Sequence, residues 1–168
     1  ATGFDLGATG TSILVLDPIL DVGEDGEPVE PHAYMDRVRD SVLVNLWPKL
    51  MRDSGKRGMT IRLGYNDSDV ELPDPEAEPV LHPFVECLRA VRNAQGDVLT
   101  GVSPSVVVKE IRSLRPPALL GHLALVKCPV GLNARDIGFG EISHHVCVMR
   151  HEAELVVKYM DMRPLDVS

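Results

Sequence analysis

Aromatic residues make up only 4% of the 168-residue chain, so a folded core has to be built from valine, leucine, isoleucine and methionine. No uninterrupted apolar run approaches the roughly 18 residues that span a bilayer, which argues against a transmembrane helix. The sequence also shows no basic segment followed by an apolar one, the pattern of a secretory leader. We therefore expect an intracellular (cytoplasmic) protein, or one held within a particle assembled there.

Cysteine is also scarce. The chain has three cysteines, Cys87, Cys128 and Cys147, and an odd number cannot pair completely within one chain. Small secreted domains held together by disulfides use more bridges in shorter chains. We expect reduced, buried thiols, which agrees with an intracellular location.

Acidic residues exceed basic ones, and the excess is unevenly distributed. The net charge is −8, with −9 in Ala1–Phe84 and +1 in Val85–Ser168. This balance argues against nucleic acid as a tight direct ligand, because phosphate neutralisation by lysine and arginine supplies most of that affinity. The densest basic cluster is Lys109, Arg112 and Arg115. It is interpreted either as a solvated face or as a contact for phosphate or an acidic partner.

The length fits a single domain covering residues 1–168. A proline-rich acidic segment at residues 73–83 holds four prolines and three acids and has the composition of an extended, exposed connector. If the chain has a seam between two subregions, we predict it there.

Two segments have the periodicity of helices. Apolar residues recur at three- and four-residue spacing from Ala33, and Pro48 predicts that this helix ends or kinks near Trp47. A hydroxyl followed by a proline at Pro104 is typical of a helix start. We predict a long N-terminal helix over about Ala33 to Trp47 and a shorter central helix over about Pro104 to Leu114.

The remaining apolar segments are interpreted mainly as strands. Glu141–Met149 and Glu154–Met160 alternate in polarity and predict a terminal hairpin. Phe84–Val91 fits either a strand or a helix, and the turn-rich stretch that follows favours one arm of another hairpin. Ala118–Val126 fits either a short helix or a buried strand. The predicted fold class is therefore α+β, with a mainly antiparallel sheet.

These elements define a predicted core, and the terminal hairpin supplies part of it. On a period of two, His144 falls with Val146 and Val148 on the core face, and His145 falls with Cys147 on the other. The predicted core residues are Ile13, Val15, Val38, Val42, Leu46, Ile61, Leu63, Val107, Ile111, Leu114, Val146, Val148, Leu155 and Val157.

A glycine cluster near the N terminus is the first candidate site. The sequence FDLGATGTS runs from Phe4 to Ser12 and leads into ILVLD. It resembles the first phosphate-binding segment of the actin, Hsp70 and sugar-kinase ATPases. The resemblance implies a nucleotide cofactor, with the metal oriented by Asp5 and phosphate held by Gly7, Thr9, Gly10 and Thr11. The alternative is a glycine-rich arm that leads into a strand.

A histidine and cysteine cluster near the C terminus is the second candidate site. His145 and Cys147 share a face if their segment is a strand, so both could bind one metal ion. His151 or Cys128 could complete a tetrahedral zinc site. The alternative is a set of strand histidines that bond to backbone or lie at an interface.

These observations favour a non-enzymatic role over an enzyme, because no serine lies in a nucleophile elbow and no catalytic constellation is evident. We expect no cofactor, with zinc or a nucleotide at the two candidate sites as the alternatives. Extended segments and short strands with apolar residues favour a structural or assembly protein that forms homo-oligomers or assembles with other structural proteins. Virion coat or matrix subunits, phage structural subunits and scaffolds belong to this class. The alternatives are a nucleotide-binding fragment of an actin- or Hsp70-like ATPase, a small zinc-binding protein, and a binding module that does not assemble.

Overall fold

A computed structural model describes five stretches of the chain, residues 30–52, 58–96, 103–127, 145–150 and 152–161. The chain divides into two compact units, Ala1–Tyr34 and Met35–Ser168. Of the first unit only residues 30–34 are described, and they are helical from Pro31. The elements beyond that helix belong to the second unit. The single domain and the seam at 73–83 stay predictions.

Two helices and three antiparallel strand pairs make up the described residues, so the fold is α+β. No described helix has both the length and the apolar character needed to cross a membrane. The pairs are β1 with β2, β3 with β4 and β5 with β6. In chain order the elements are α1 (Pro31–Leu50), β1 (Leu63–Tyr65), β2 (Ser68–Val70), α2 (His82–Ala94), β3 (Val107–Leu114), β4 (Pro117–Leu125), β5 (His145–Arg150) and β6 (Leu155–Asp161).

The helix α1 continues through a proline. Pro48 lies inside α1, which ends at Leu50. Proline has no backbone N–H, so it cannot donate the helical hydrogen bond to the carbonyl of Val44, four residues earlier. The hydroxyl of Tyr159, on β6, donates to that carbonyl instead at 2.8 Å. A side chain from a distant strand thus satisfies the carbonyl that the proline leaves without its helical donor.

The core forms around one face of α1. Leu43 and Trp47 are fully buried, whereas the predicted core residues Val42 and Leu46 are only half-buried. Successive side chains of a helix are rotated by about 100°. The buried face of α1 with Leu43 and Trp47 therefore lies next to the predicted face with Val42 and Leu46. The core cluster is Leu43, Trp47, Met51, Val80, Leu81, Val85 and Leu88.

The helix α2 occupies the segment predicted as a hairpin arm, and that prediction is wrong. Leu81, Val85, Leu88 and Arg92 are buried at spacings of four, three and four residues, which is one helix face. Proline in the first turn also suits a helix start, since its missing N–H has no intrahelical partner there. The turn-rich residues that follow end a helix rather than connect two strands.

The predicted central helix over Pro104–Leu114 is also wrong, because these residues lead into and form β3. Val107, Ile111 and Leu114, predicted as core, are 53%, 46% and 86% exposed. A run of three valines precedes Ile111, and β-branched side chains favour strands. β3 pairs with β4, which settles Ala118–Val126 as mostly strand.

The terminal hairpin is confirmed for its described residues, but its faces are the reverse of the prediction. Cys147 and Met149 on β5, with Val156 on β6, pack against the core. Val157, predicted as core, is 58% exposed. The register shifts where Val148 pairs Lys158 and the next β5 residue pairs Val156, so Val157 is an extra residue. A bulge of this kind moves the alternation by one position.

The segment 73–83 is not exposed along its whole length, because part of it packs against the core. Pro75, Val80 and Leu81 are buried. Its acids also bind neighbouring elements: Asp74 pairs with Arg52 at 2.7 Å and Glu76 with Arg89 at 2.8 Å. Its prolines therefore shape a turn-rich passage into α2 that adds to the core.

Candidate functional site: an apolar cleft bounded by α2, β4 and β5

A cleft of about 500 Å³ is bounded by α2, β4 and β5. Cavities of this size hold small ligands or short peptide segments. Its lining is mostly apolar. From α2 come Phe84, Cys87, Leu88 and Val91, and the strands contribute residues 120–126 and 145–150.

Both hairpins contribute strand residues to the cleft. Every residue from Leu120 to Val126 and every residue from His145 to Arg150 lines it. Ile111 of β3 lines it as well, and α2 contacts both β3 and β4, so the cleft lies over a face of the β3–β4 hairpin. Among the described strands, β4 pairs with β3 and β5 pairs with β6.

A buried hydrogen-bond network lies beneath β5. The indole Nε1 of Trp47 donates to the hydroxyl of Tyr159 at 3.0 Å. The ring of Tyr159 also meets Phe84 edge to face, with ring centroids 5.7 Å apart. Burial raises the pKa of the Tyr159 hydroxyl, and the neighbouring Cys147 raises it further. Burial also raises the pKa of Cys147 to about 12, although its hydrogen bond with Tyr159 opposes the shift.

These pKa shifts decide what Cys147 can do. At neutral pH the side chain is a thiol, and the thiolate is the form that attacks carbonyls and binds metals. Its partner Tyr159 is likewise held in its neutral form. The pair therefore acts as a packed, hydrogen-bonded part of the structure.

A buried ion pair fixes the end of the cleft where β5 turns into β6. Arg92 of α2 donates from Nε and from one terminal nitrogen to the two carboxylate oxygens of Glu154, at 3.0 and 2.7 Å. The two residues are 1% and 5% exposed. Glu154 also has a φ of +46°, a conformation that costs energy without glycine. The ion pair thus holds a strained turn against α2 and leaves Glu154 neutralised.

Two histidines line the cleft. Nδ1 of His122, on β4, lies 3.2 Å from the side-chain nitrogen of Gln95 at the end of α2. Nδ1 of His145, on β5, is buried, and no described residue forms a hydrogen bond with it. A buried polar atom without a hydrogen-bond partner lowers the free energy of unfolding by about 1–3 kcal/mol.

The β3–β4 hairpin carries many exposed apolar side chains, and three of them, Ile111, Leu120 and Leu125, also line the cleft. Its exposed fractions reach 67% for Leu120 and 86% for Leu114. The exposed large apolar residues of this hairpin are Val107, Ile111, Leu114, Leu119, Leu120 and Leu125.

The structure describes two of the four predicted zinc ligands, His145 and Cys147. His145 and Cys147 lie two residues apart on β5, as the alternation predicted, but Cys147 packs against the core and bonds Tyr159. Cys128 and His151 lie outside the described residues. Among the residues that are described, no group of three or more histidine, cysteine or acidic side chains is placed to hold a metal ion. The four-residue zinc site stays a prediction.

The phosphate-loop candidates all lie outside the described residues. These are Asp5, Gly7, Thr9, Gly10 and Thr11. The nucleotide-binding hypothesis therefore stays a prediction.

Sequence reasoning missed the buried ion pair and the cleft. The sequence does contain a signal that Arg92 is buried, because this residue continues the helical spacing of Leu81, Val85 and Leu88. Its partner Glu154 lies 62 residues away, and no local pattern connects the two. The cleft itself depends on how separate hairpins pack against α2, which periodicity does not encode.

Comparison with known proteins gives no relative: no protein-family model, no curated protein and no solved structure matches this chain.

Proposed function

We propose that this chain is a structural or assembly protein that acts through protein–protein contacts and self-associates through the β3–β4 hairpin. The observation that supports this most is the exposure of six large apolar side chains on that hairpin. A concentration of exposed apolar side chains of this kind is typical of an interaction site. The proposed class is the one that contains virion coat and matrix subunits, phage structural subunits and scaffolds.

The architecture of the hairpin supports the same proposal. β3 and β4 form a sheet of only two strands. A two-stranded sheet is marginal in water unless it packs against other elements. The side of the hairpin near His122 contacts α2, but Leu114 and Leu119 near its tip are exposed. Burial of those side chains in an assembly would remove apolar surface from water and stabilise the hairpin.

Charge favours a second copy as the partner. Segment 107–127 carries Lys109, Arg112, Arg115 and Lys127 against one acid, Glu110. Its charge is +3 and the whole chain is −8, which leaves −11 for the rest of the chain. Glu110 is itself engaged by Arg112 at 2.7 Å. A basic, apolar hairpin of one copy would therefore meet an acidic surface on the next.

Native mass by light scattering over a hundredfold concentration range tests the proposal. We expect a mass above 18.4 kDa that rises with concentration and falls with added salt. The double variant Leu114→Ser/Leu119→Ser should shift the association to higher concentration by about tenfold or more. A monomer at every concentration would contradict the proposal.

A matched control uses an exposed apolar residue outside the hairpin. Met59 is 53% exposed, the same fraction as Val107. Met59→Ser should leave the association unchanged. An equal loss from Met59→Ser would show that general surface hydrophobicity, rather than the hairpin, drives association.

A further inference from the structure

We propose that self-association runs head to tail, with the β3–β4 hairpin of one copy bound to the β1–β2 hairpin of the next. The inference rests on the proposed function, since it takes self-association through β3–β4 as given and names the surface that receives it. An interface between two different surfaces is heterologous, so successive copies close into a ring or extend as an open chain.

The β1–β2 hairpin is weakly attached to its own chain. Its strands have three residues each, and among the described strands they pair only with each other. None of its residues belongs to the described core cluster or to the side chains packed against that cluster. A two-stranded sheet is marginal in water without a packing partner. A contact with another copy would therefore stabilise this hairpin as well as β3–β4.

One face of the β1–β2 hairpin is acidic. Asp69 on β2 and Glu71 directly after β2 are two residues apart, which places both on one face. Both are exposed, as is Asp67 in the turn. Segment 63–71 has no lysine or arginine, so its charge is −3. No ion pair within the described part of the chain involves these three carboxylates.

The opposite face of the hairpin supplies apolar surface. Leu63, Tyr65 and Val70 alternate with exposed residues and are half-buried. Leu63 pairs with Val70 across the two strands, and cross-strand partners share a face. A partner that contacts the edge of this thin hairpin can reach both faces. The fitting partner therefore combines exposed aliphatic side chains with cations.

The β3–β4 hairpin has that combination. Leu114 and Leu119 near its tip are 86% and 46% exposed. Lys109 and Arg115 are exposed too, and no described carboxylate forms an ion pair with either. Charges of opposite sign on the two hairpins would favour this contact over a contact between two β3–β4 hairpins, in which like charges meet.

The two hairpins are not packed against each other within one copy. Among the described elements, β3 and β4 make their main contacts with each other and with α2, whereas β1 and β2 make theirs with each other. The acidic surface and the basic, apolar surface of a single chain are therefore both left for other copies.

Mixing two variants tests the head-to-tail arrangement by light scattering. Leu114→Ser/Leu119→Ser impairs the β3–β4 surface, and Asp67→Asn/Asp69→Asn/Glu71→Gln removes the charge of the β1–β2 surface. We expect each variant alone to need about tenfold or more higher concentration to associate than the unmodified chain. An equimolar mixture should form a dimer of about twice 18.4 kDa and stop there, because one intact surface of each kind remains. A mixture as monomeric as either variant would overturn the proposal.

A matched control changes the net charge equally at positions outside both hairpins. Glu30→Gln/Glu78→Gln/Glu152→Gln also removes three carboxylates and should leave association unchanged. An equal loss in this control would contradict a local contact and assign the effect to net charge.

The outcomes separate this inference from the proposed function. A monomeric unmodified chain at every concentration would contradict both. If the β3–β4 hairpins pair with each other, the leucine variant will lose association and the acidic variant will associate as well as the unmodified chain. That result would support the proposed function and overturn the head-to-tail arrangement.

Discussion

The hairpins β3–β4 and β5–β6 look alike in sequence but are held in the molecule very differently. Each is an antiparallel pair with one bulge and an apolar composition. β5–β6 packs Cys147, Met149 and Val156 against the core, and Tyr159 bonds to α1. β3–β4 leaves Leu114 and Leu120 largely exposed. The comparison teaches that an apolar composition does not by itself place a strand pair in the core, and that anchoring side chains decide whether its apolar residues are packed or exposed.

The side chains that anchor β5–β6 to the helices should give the largest losses of stability when they are replaced. The first of these anchors is the buried ion pair between Arg92 and Glu154. Arg92→Met leaves the carboxylate of Glu154 buried without its partner. Removing one member of a buried pair costs about 3–5 kcal/mol, since the other charge stays desolvated. We expect a loss of that size in the free energy of unfolding, measured by urea denaturation.

The other hairpin has an ion pair that serves as the matched control. Arg112 and Glu110 are also 2.7 Å apart, but their side chains are 59% and 50% exposed. Arg112 holds the pKa of Glu110 below its usual value. Even so, Glu110→Gln should leave the urea midpoint unchanged, because water screens an exposed pair. Similar losses from both substitutions would remove the distinction between an anchored and an unanchored hairpin.

The second anchor is the hydroxyl of Tyr159, and its loss should cost less. Tyr159→Phe removes the donor to the Val44 carbonyl and the acceptor for the Trp47 indole. We expect a loss of about 1–3 kcal/mol in the free energy of unfolding, since both buried groups lose a partner.

Pro48 provides a specific check on that explanation. Pro48→Ala restores a backbone N–H at the position that normally bonds the Val44 carbonyl. Tyr159→Phe should therefore cost about 1 kcal/mol less in the Pro48→Ala background than alone. A double-mutant cycle in urea measures this coupling. The same cost in both backgrounds would show that the hydroxyl does not compensate for the proline.

Local patterns were sufficient for the fold class and for the terminal hairpin. Alternation along 145–149 and 155–160 identified both strands, because period two is a property of the backbone itself. On β6 the core face changes from Val157 to Val156 because Val157 is an extra residue in the register, and a bulge leaves no mark in the polarity pattern.

Prediction from sequence patterns failed where the same residues fit both a helix and a strand. Val107, Ile111 and Leu114 match helical spacing, yet pairing with β4 makes their segment a strand. For Phe84–Val91 the helical period was present and the neighbouring turn residues outweighed it in the prediction. Of the predicted metal ligands, sequence located His145 and Cys147 correctly on one strand. The cleft beside them depends on tertiary packing and on an ion pair that closes over 62 residues.

The smallest expected effect compares one apolar residue from each hairpin. Val156→Ala removes packing from the core, and a half-buried pair of methyl groups contributes about 1 kcal/mol. Leu114→Ala removes a side chain that is 86% exposed and should change the free energy of unfolding by less than about 0.5 kcal/mol. Urea midpoints of dilute samples, where association is weakest, measure both. A larger loss from Leu114→Ala than from Val156→Ala would mean that the β3–β4 hairpin is already packed within a single chain, and its apolar residues would then belong to the core rather than to an interface.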